Sequence, residues 1–226
     1  MATGVERRFV WDLPTRIFHW SVVLLIGFSW WSAETHRMEW HYRSGLAICA
    51  LVVFRILWGL VGTDTSRFTQ FIKGPREVLS YIRPGEGAPR ITPLGHNPLG
   101  GWSVIALLAL MSAQVAFGMF AIDIDGLESG PLSFLVSFDQ GRAAAELHEA
   151  TFNILLALIA VHIIAVLFYL AVKRRNLIGR MFTGSDIVPD VSMPDQAKRV
   201  PAWRLAATLI VAIAATYGAS KGFWLG

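Results

Sequence analysis

An apolar segment of membrane-spanning length that carries two histidines places the strongest limit on how this chain can fold. Residues 148–172 read HEATFNILLALIAVHIIAVLFYLAV and contain His148 and His162. Fourteen helical residues turn the second imidazole to within about 40° of the first and place it about 21 Å further along the axis. An ionisable side chain at such depth in a bilayer is costly and marks a functional site by default. The spacing predicts one transmembrane helix with an imidazole near each membrane surface.

Apolar runs of spanning length recur along the chain and predict an all-α integral membrane protein. Hydrophobic residues make up 54% of the 226 residues and charged residues only 16%, which is more apolar surface than a soluble domain of this size can bury. The expected spans are residues 17–33, 41–61, 101–121, 148–172 and 202–220. Phe9, Val10 and Trp11 are candidates to extend the first span as an interfacial segment. The loop 63–99, rich in Gly and Pro, is expected to be irregular apart from a short helix around GPREVLSYI.

The positive charges are divided unevenly between the two sides of the predicted bundle. Residues 1–16, 62–100 and 173–204, together with Arg55, hold 16 of the 20 Lys and Arg, and the opposite side has a net charge of −4. The positive-inside rule therefore predicts a multi-pass protein with a cytoplasmic N-terminus and a periplasmic C-terminus. Membrane topology accounts for the basic composition, so no nucleic-acid partner is expected. Residues 1–16 are polar for too long to begin a cleavable signal peptide.

Four histidines sort into two pairs when the direction of each span is taken into account. His19 lies early in the first span and is level with His162 near the inner surface, while His41 opens the second span and is level with His148 near the outer surface. Two facing neutral imidazoles are what a six-coordinate low-spin haem iron needs. Zinc requires four ligands at one point, which histidines so far apart in depth do not provide. The pattern favours two haems held by His19/His162 and His41/His148.

Three arginines and a glycine are candidate neighbours of these haems. Arg16 and Arg55 are placed to meet the anionic propionates of an inner haem, and Arg43 those of an outer one. The alternative for each arginine is that it reaches the interface and contacts only water and lipid headgroups. Gly45 follows His41 by four residues on the same helix face, where it would allow a porphyrin or a neighbouring helix to approach.

Other chemically interesting residues favour structural interpretations. His36 lies in the short outer loop and is expected to be solvated, although it is a rival to His41 as a ligand. His96 is expected to cap local structure, with a haem propionate or quinone as alternatives. Gln114 is expected to bond another helix rather than a quinone carbonyl. The single cysteine, Cys49, excludes a Cys-x-x-Cys-His haem attachment and is interpreted as a packing residue.

These residues resemble the bacterial cytochrome b561 family, which is similar in turn to the b-type cytochrome subunit of nickel–iron hydrogenases. The resemblance is carried by VWDLPTRIFHW around His19, HYRSGLAICALVVFR from His41, GHNPLGGW, and the His148/His162 pair. It implies a four-helix transmembrane bundle in residues 1–175 with two haem b groups, whose axial ligands are His19/His162 and His41/His148. A cytoplasmic loop and a fifth transmembrane helix would occupy residues 176–226.

The resemblance also implies a role in electron transport in the bacterial inner membrane. The chain would transfer electrons between the quinone pool and a periplasmic redox partner such as a cytochrome c, as an electron carrier or a quinol-linked oxidoreductase subunit. An alternative is the membrane cytochrome b subunit of a hydrogenase or dehydrogenase complex that delivers electrons to quinone. A second alternative is a non-redox membrane transporter, although the chain lacks paired broken helices. Membrane lipid is an expected partner, and a homodimer is compatible with the sequence.

Overall fold

The computed structural model describes residues 5–83, 95–125, 128–189 and 200–221, and within these ranges the protein is almost entirely helical. The helices are α1 (Leu13–Glu34), α2 (Met38–Val61), α3 (Phe68–Phe71), α4 (Pro75–Ile82), α5 (Pro98–Phe120), α6 (Phe138–Ala171), α7 (Leu177–Thr183) and α8 (Ala202–Ser220). A 3-10 turn covers Ser133–Leu135, and strands β1 (Val5–Phe9) and β2 (Ser185–Pro189) form an antiparallel pair. The short helix expected around GPREVLSYI is α4.

Among the described residues, four helices are long and apolar enough to cross a membrane, namely α2, α5, α6 and α8. They occupy the predicted segments 41–61, 101–121, 148–172 and 202–220. Helix α1 contains 22 residues and covers the predicted first span, but it falls outside this group. Its polar residues, including Arg16 and His19, lower its hydropathy. A multi-pass helical membrane protein follows, whereas a count of five spans remains a prediction.

Local capping signals explain where the long helices begin. The Asp12 side chain accepts from the backbone N–H of Thr15 at the start of α1, and the Asn97 side chain does the same for Gly100 at the start of α5. Ser137 and Gln140 form a capping box that starts α6 well before the predicted position 148. At 34 residues, α6 is about 51 Å long and exceeds a hydrocarbon core of about 30 Å.

Helix α2 lies at the centre of the bundle. It packs against α1, α5 and α8, while α5 and α6 form a second close pair. The main buried cluster joins four helices and consists of Val22, Ile48, Val52, Leu108, Met111 and Leu155. Cys49 is buried in α2 and accepts a hydrogen bond from Thr216 of α8, in agreement with a packing role. The C-terminal helix therefore packs on the same central helix as the rest of the bundle.

Helix α6 packs closely against one neighbour only. Its backbone lies against α5, whereas it makes no comparable approach to α1 or α2. Only 6% of its most apolar 18-residue window is buried, compared with 44% for α2. The helix that carries His148 and His162 therefore meets α1 and α2 through side chains, such as Leu155 in the buried cluster and Phe152 beside Trp30, without close backbone packing.

The chain start pairs with a distant segment instead of extending the first span. Phe9 belongs to β1, opposite Ser185 of β2, and the N–H groups of Val10 and Trp11 both donate to the carbonyl of Gly184. The side chains of Val10 and Trp11 are buried. These contacts lie at the end of the bundle where α1 begins, which we call the basic end. The opposite end, with residues 35–37, 121–125 and 128–137, is called the acidic end.

Candidate functional site: two histidine pairs in the helix bundle

His41 and His148 face each other at the acidic end. His41 lies in the first turn of α2, and His148 lies in the third turn of α6. Their ring centroids are 6.0 Å apart and their planes are almost perpendicular, at 88°. The sequence predicted that His41 and His148 lie at the same depth, and in the structure their side chains are also close together. The backbones of α6 and α2 do not pack closely, so this contact does not follow from helix packing alone.

Both imidazoles at the acidic end are bonded to helix backbones. His41 Nδ1 lies 2.9 Å from the carbonyl oxygen of Ser29 in α1, and His148 Nδ1 lies 2.8 Å from that of Gln114 in α5. The Gln114 side chain also contacts His148 and accepts from the Thr151 hydroxyl. Gln114 thus bonds another helix, α6, as expected, and the residue that it contacts there, His148, is one of the candidate ligands.

His19 and His162 interact electrostatically at the basic end. The rings of His19 and Trp20 are almost perpendicular, with centroids 4.9 Å apart. His19 Nδ1 is buried, and none of the described residues is hydrogen-bonded to it. The two pairs therefore differ in how their ring nitrogens are satisfied.

Arg55 and His96 lie near the basic-end pair. The sequence favoured a structural role for His96 and left contact with a haem propionate as an alternative. Arg55 is only 2% exposed, lies over the Phe68 ring at 5.1 Å, and has an Nη1 with no hydrogen-bond partner in the described structure. His96 lies between the rings of Trp11 and Phe71, and its buried Nδ1 also lacks a partner there. Burial, together with Arg55 and His162, lowers the pKa of His96 to about 3. The imidazole is therefore neutral at physiological pH.

Asp12 is a second residue whose role the sequence analysis did not recognise. Its carboxylate is 5% exposed and accepts hydrogen bonds from the backbone of Thr15 and from Trp58 Nε1 at 2.9 Å and Thr63 Oγ1 at 2.6 Å. It also interacts electrostatically with Arg55. The motif WDLPTR offered a visible helix-start signal, but the partners of Asp12 are about fifty residues away.

The remaining candidates occupy more ordinary positions. Arg16 donates to the carbonyl of Phe182, and Arg43 forms an exposed ion pair with Glu39 one helical turn away. A Cβ added to Gly45 would meet no atom within 4 Å, so there is open space beside this face of α2. His36 is exposed and has φ of 54° in the turn between α1 and α2, in agreement with the solvated position expected for it.

A tyrosine pair closes the basic end near His96. The hydroxyls of Tyr81 in α4 and Tyr169 in α6 are 2.9 Å apart, and Asn97 Nδ2 donates to Tyr169 at 2.7 Å. Burial raises the pKa of Tyr81 to about 12, and its bond to Tyr169 adds to the effect. Tyr169 follows His162 by seven residues, so it lies on the same helix stripe. The contact connects α4, the start of α5 and the end of α6.

Comparison with known proteins identifies the family of this chain. A family model described as prokaryotic cytochrome b561 matches residues 10–184, a range that contains all four paired histidines. No curated protein and no solved structure matches the chain. Because the family match covers most of the chain, the protein belongs to the prokaryotic cytochrome b561 family, whose members are helical membrane bundles that bind haem b and transfer electrons.

Proposed function

We propose that the protein is a dihaem b-type cytochrome that transfers electrons across the membrane, with His19/His162 and His41/His148 as axial ligands. The observation that carries the proposal is the 6.0 Å approach of His41 to His148 at one end of the bundle, and the electrostatic interaction of His19 with His162 at the other end supports it. Residues 1–175 would form the dihaem unit. Residues 176–226 would supply a cytoplasmic loop and the helix α8, which packs on α2.

The spacing of the acidic-end pair fits an axially coordinated metal. Two metal–nitrogen bonds of about 2 Å and two ring radii of about 1 Å add up to about 6 Å between imidazole centroids. The observed centroid separation is 6.0 Å. The backbone of α6 does not pack closely against α1 or α2, and there is open space beside Gly45. Both features are compatible with a planar group between the helices. These observations support haem at this level.

Arg55 and His96, beside the basic-end pair, have polar atoms that are unpaired among the described residues and fit the propionates of a haem. Arg55 Nη1 and His96 Nδ1 are buried polar atoms without partners in the described structure, and buried polar groups normally have them. A carboxylate group would satisfy both. Arg16 also has a buried Nε without a partner in the described structure, although its Nη1 donates to the Phe182 carbonyl. Arg55 is more deeply buried, at 2% exposed, so both inner arginines remain candidates for a propionate. At the acidic end, Arg43 would have to exchange its contact with Glu39 to reach a propionate.

The haem and the protein would contribute differently to electron transfer. A bound haem b supplies one-electron oxidation and reduction of its iron. The chain's own residues hold the imidazoles in one tautomer, compensate the charge of the propionates and exclude water from the ring faces. Apolar side chains of the core cluster, such as Val52 and Leu155, separate the two levels.

The topology of the proposal follows from charge. The basic end would face the cytoplasm of a bacterial inner membrane and the acidic end the periplasm, with the C-terminus periplasmic and five spans in lipid. Quinone or quinol would exchange electrons with one haem, and a periplasmic cytochrome c with the other. A fixed hydrogenase or dehydrogenase subunit is the alternative partner, and a homodimer is compatible with both. Family membership argues against a non-redox transporter.

The test is a haem count followed by four single substitutions. The purified protein should give a reduced-minus-oxidised b-type spectrum and two haem b per chain by pyridine haemochrome. His41→Ala and His148→Ala should each remove one spectral component, and His19→Ala and His162→Ala the other. His36→Asn is the matched control, because the residue is exposed and Asn tolerates its positive φ.

Two results would contradict the assignment. One haem per chain would exclude the two-pair arrangement, and loss of the same component from His19→Ala and His148→Ala would exclude this pairing. Co-purification of a large catalytic subunit would indicate that the redox partner is a permanently bound subunit and not a soluble cytochrome.

A further inference from the structure

The His41 imidazole is held by α1 in a single tautomer. Its Nδ1 lies 2.9 Å from the carbonyl oxygen of Ser29 and 3.2 Å from the hydroxyl of the same residue. A carbonyl oxygen can only accept, so Nδ1 carries the hydrogen and donates it. The ring lone pair is then on Nε2, which is the nitrogen available to a metal.

Two hydrogen bonds with Gln114 of α5 hold His148 in the same tautomer. His148 Nδ1 lies 2.8 Å from the carbonyl oxygen of Gln114. The Thr151 hydroxyl donates to Gln114 Oε1, which turns the amide nitrogen of Gln114 toward the ring, 3.1 Å from His148 Nε2. Because an amide nitrogen can only donate, Nε2 is the acceptor and bears the lone pair. Coordination of a metal by this nitrogen would replace the contact with the Gln114 amide, whereas the hydrogen bond from Nδ1 to the Gln114 carbonyl would remain.

The close approach of His148 to α5 depends on Gly118. A Cβ at this position would lie 2.8 Å from His148 Cε1 and 3.0 Å from Nδ1. These distances are shorter than carbon–carbon and carbon–nitrogen van der Waals contact, so an alanine would push the ring away from the Gln114 carbonyl. We call Gln114 and Gly118 the α5 seat.

The basic-end pair has no such seat in the described structure. His19 Nδ1 is buried and unbonded there, and the Trp20 ring packs against His19 at almost a right angle. The positive charge of Arg55 lies at this end, where Asp12 compensates part of it. The two histidine pairs therefore differ mainly in hydrogen bonding at Nδ1, which is bonded to a carbonyl in His41 and His148 but has no partner among the described residues in His19.

We propose that the α5 seat and the Ser29 carbonyl make His41/His148 the more electron-donating ligand pair, so that the acidic-end haem has the lower midpoint potential. This inference rests on the proposed dihaem function. A hydrogen bond from Nδ1–H to a carbonyl raises the basicity of the coordinating nitrogen and stabilises ferric iron. One electron shared between the two haems then resides mainly on the basic-end iron, which is reduced while the acidic-end iron is oxidised.

The same seat sets the angle between the ligand planes. The two acceptors lie on different helices, α1 and α5, and hold the rings at 88°. Axial imidazoles in perpendicular planes give ferric low-spin haem an EPR signal with an unusually large maximum g value. The acidic-end haem should carry this signal.

The experiment is a redox titration followed by optical and EPR spectroscopy. Wild-type protein with two haems per chain should show two midpoints that differ by at least about 59 mV, a tenfold preference for the basic-end iron. His148→Ala should leave the higher-potential component, and His19→Ala the lower one with the large-g signal. Gly118→Ala should raise the lower midpoint and shift its EPR signal without moving the other. Gly27→Ala is the control, because that exposed glycine has nothing within 4 Å of an added Cβ.

Three results would overturn the inference while leaving the dihaem function intact. They are equal midpoints, retention of the lower midpoint in His148→Ala, or equal shifts of both midpoints in Gly118→Ala. If Gly118→Ala does not bind haem at all, the two histidine variants still decide the order of potentials. Failure of the proposed function would appear separately, as a haem count below two in the wild-type protein.

Discussion

The two ends of the bundle hold their histidine pairs by different means. At the acidic end, the imidazoles of His41 and His148 are bonded to carbonyls of neighbouring helices, so helix placement alone positions them. At the basic end, side chains from the chain start, the loop at 95–97 and α2 converge around His96 and Arg55. A site built on helix backbones depends on few residues, whereas one built from loops depends on a network. The basic end should therefore be more sensitive to single polar substitutions.

The largest effect is expected for Asp12→Ala at the basic end. The substitution removes a buried carboxylate and leaves Trp58 Nε1 and Thr63 Oγ1 without their acceptor. Hydrogen bonds to charged groups are worth about 1.5–3 kcal/mol each, so a loss of about 3 kcal/mol in unfolding free energy is expected. Denaturation in detergent measures it, with exposed Asp125→Ala of the acidic end as control. Equal unfolding free energies for Asp12→Ala and Asp125→Ala would contradict the expectation that the basic end is more sensitive to polar substitution.

Gly130→Ala should give a smaller effect at the acidic end. An added Cβ would overlap the backbone of Gly118 and Met119, which cannot move as a flexible side chain can. Overpacking of this kind costs about 1–3 kcal/mol. Thermal unfolding should show the loss, and Gly74→Ala, where an added Cβ has nothing within 4 Å, should show little. A neutral Gly130→Ala would mean that the acidic-end loop adapts easily.

Ion pairs at the two ends should differ in strength. Arg180 and Asp186 at the basic end are 12% and 17% exposed, whereas Arg43 and Glu39 at the acidic end are 62% and 73% exposed. Exposed pairs contribute about 0–1 kcal/mol, and shielding from water strengthens the pair at the basic end. Double-mutant cycles should give a coupling of about 1 kcal/mol for Arg180–Asp186 and less for Arg43–Glu39. A larger coupling energy for Arg43–Glu39 than for Arg180–Asp186 would contradict the expectation that burial strengthens the ion pair.

The smallest effect concerns docking of a soluble partner at the acidic end. Asp125 and Glu128 are exposed there, while Asp123 is half-buried. Their charge should steer a basic cytochrome c, so Asp125→Asn/Glu128→Gln should slow electron transfer about threefold at low salt. Because screening acts over about 8 Å at physiological ionic strength, the difference should disappear as salt rises. Glu77→Gln, an exposed change at the basic end, is the control. A rate that is insensitive to both salt and substitution would favour a fixed partner subunit.

Several features of the site were open to prediction because they depend on helical periodicity. The fourteen-residue spacing of His148 and His162 placed them on one stripe, and the alternating direction of spans brought His41 level with His148. The structure places these two rings 6.0 Å apart. The start of α6 was also visible as Ser137 and Gln140, a capping box that the prediction of a span from residue 148 overlooked.

Other features lay beyond sequence reasoning because their partners are far apart in the chain. The pairing of β1 with β2 joins residues about 180 positions apart, and neither segment has a strong strand signal alone. The roles of Asp12, which bonds Trp58 and Thr63, and of His96, which approaches Arg55, likewise depend on how loops fold back on the bundle.

What the sequence alone determined is the set of apolar helices and the faces on which their histidines lie, since both follow from the fixed rise and turn of a helix. Only the tertiary structure decided which atoms meet the imidazoles. Gln114 could have faced lipid, another helix or a ligand at the same depth, and its bonds to His148 depend on the rotation of α5 about its own axis. That rotation is set by packing over the whole bundle, including the contact that Gly118 permits, and no local pattern encodes it.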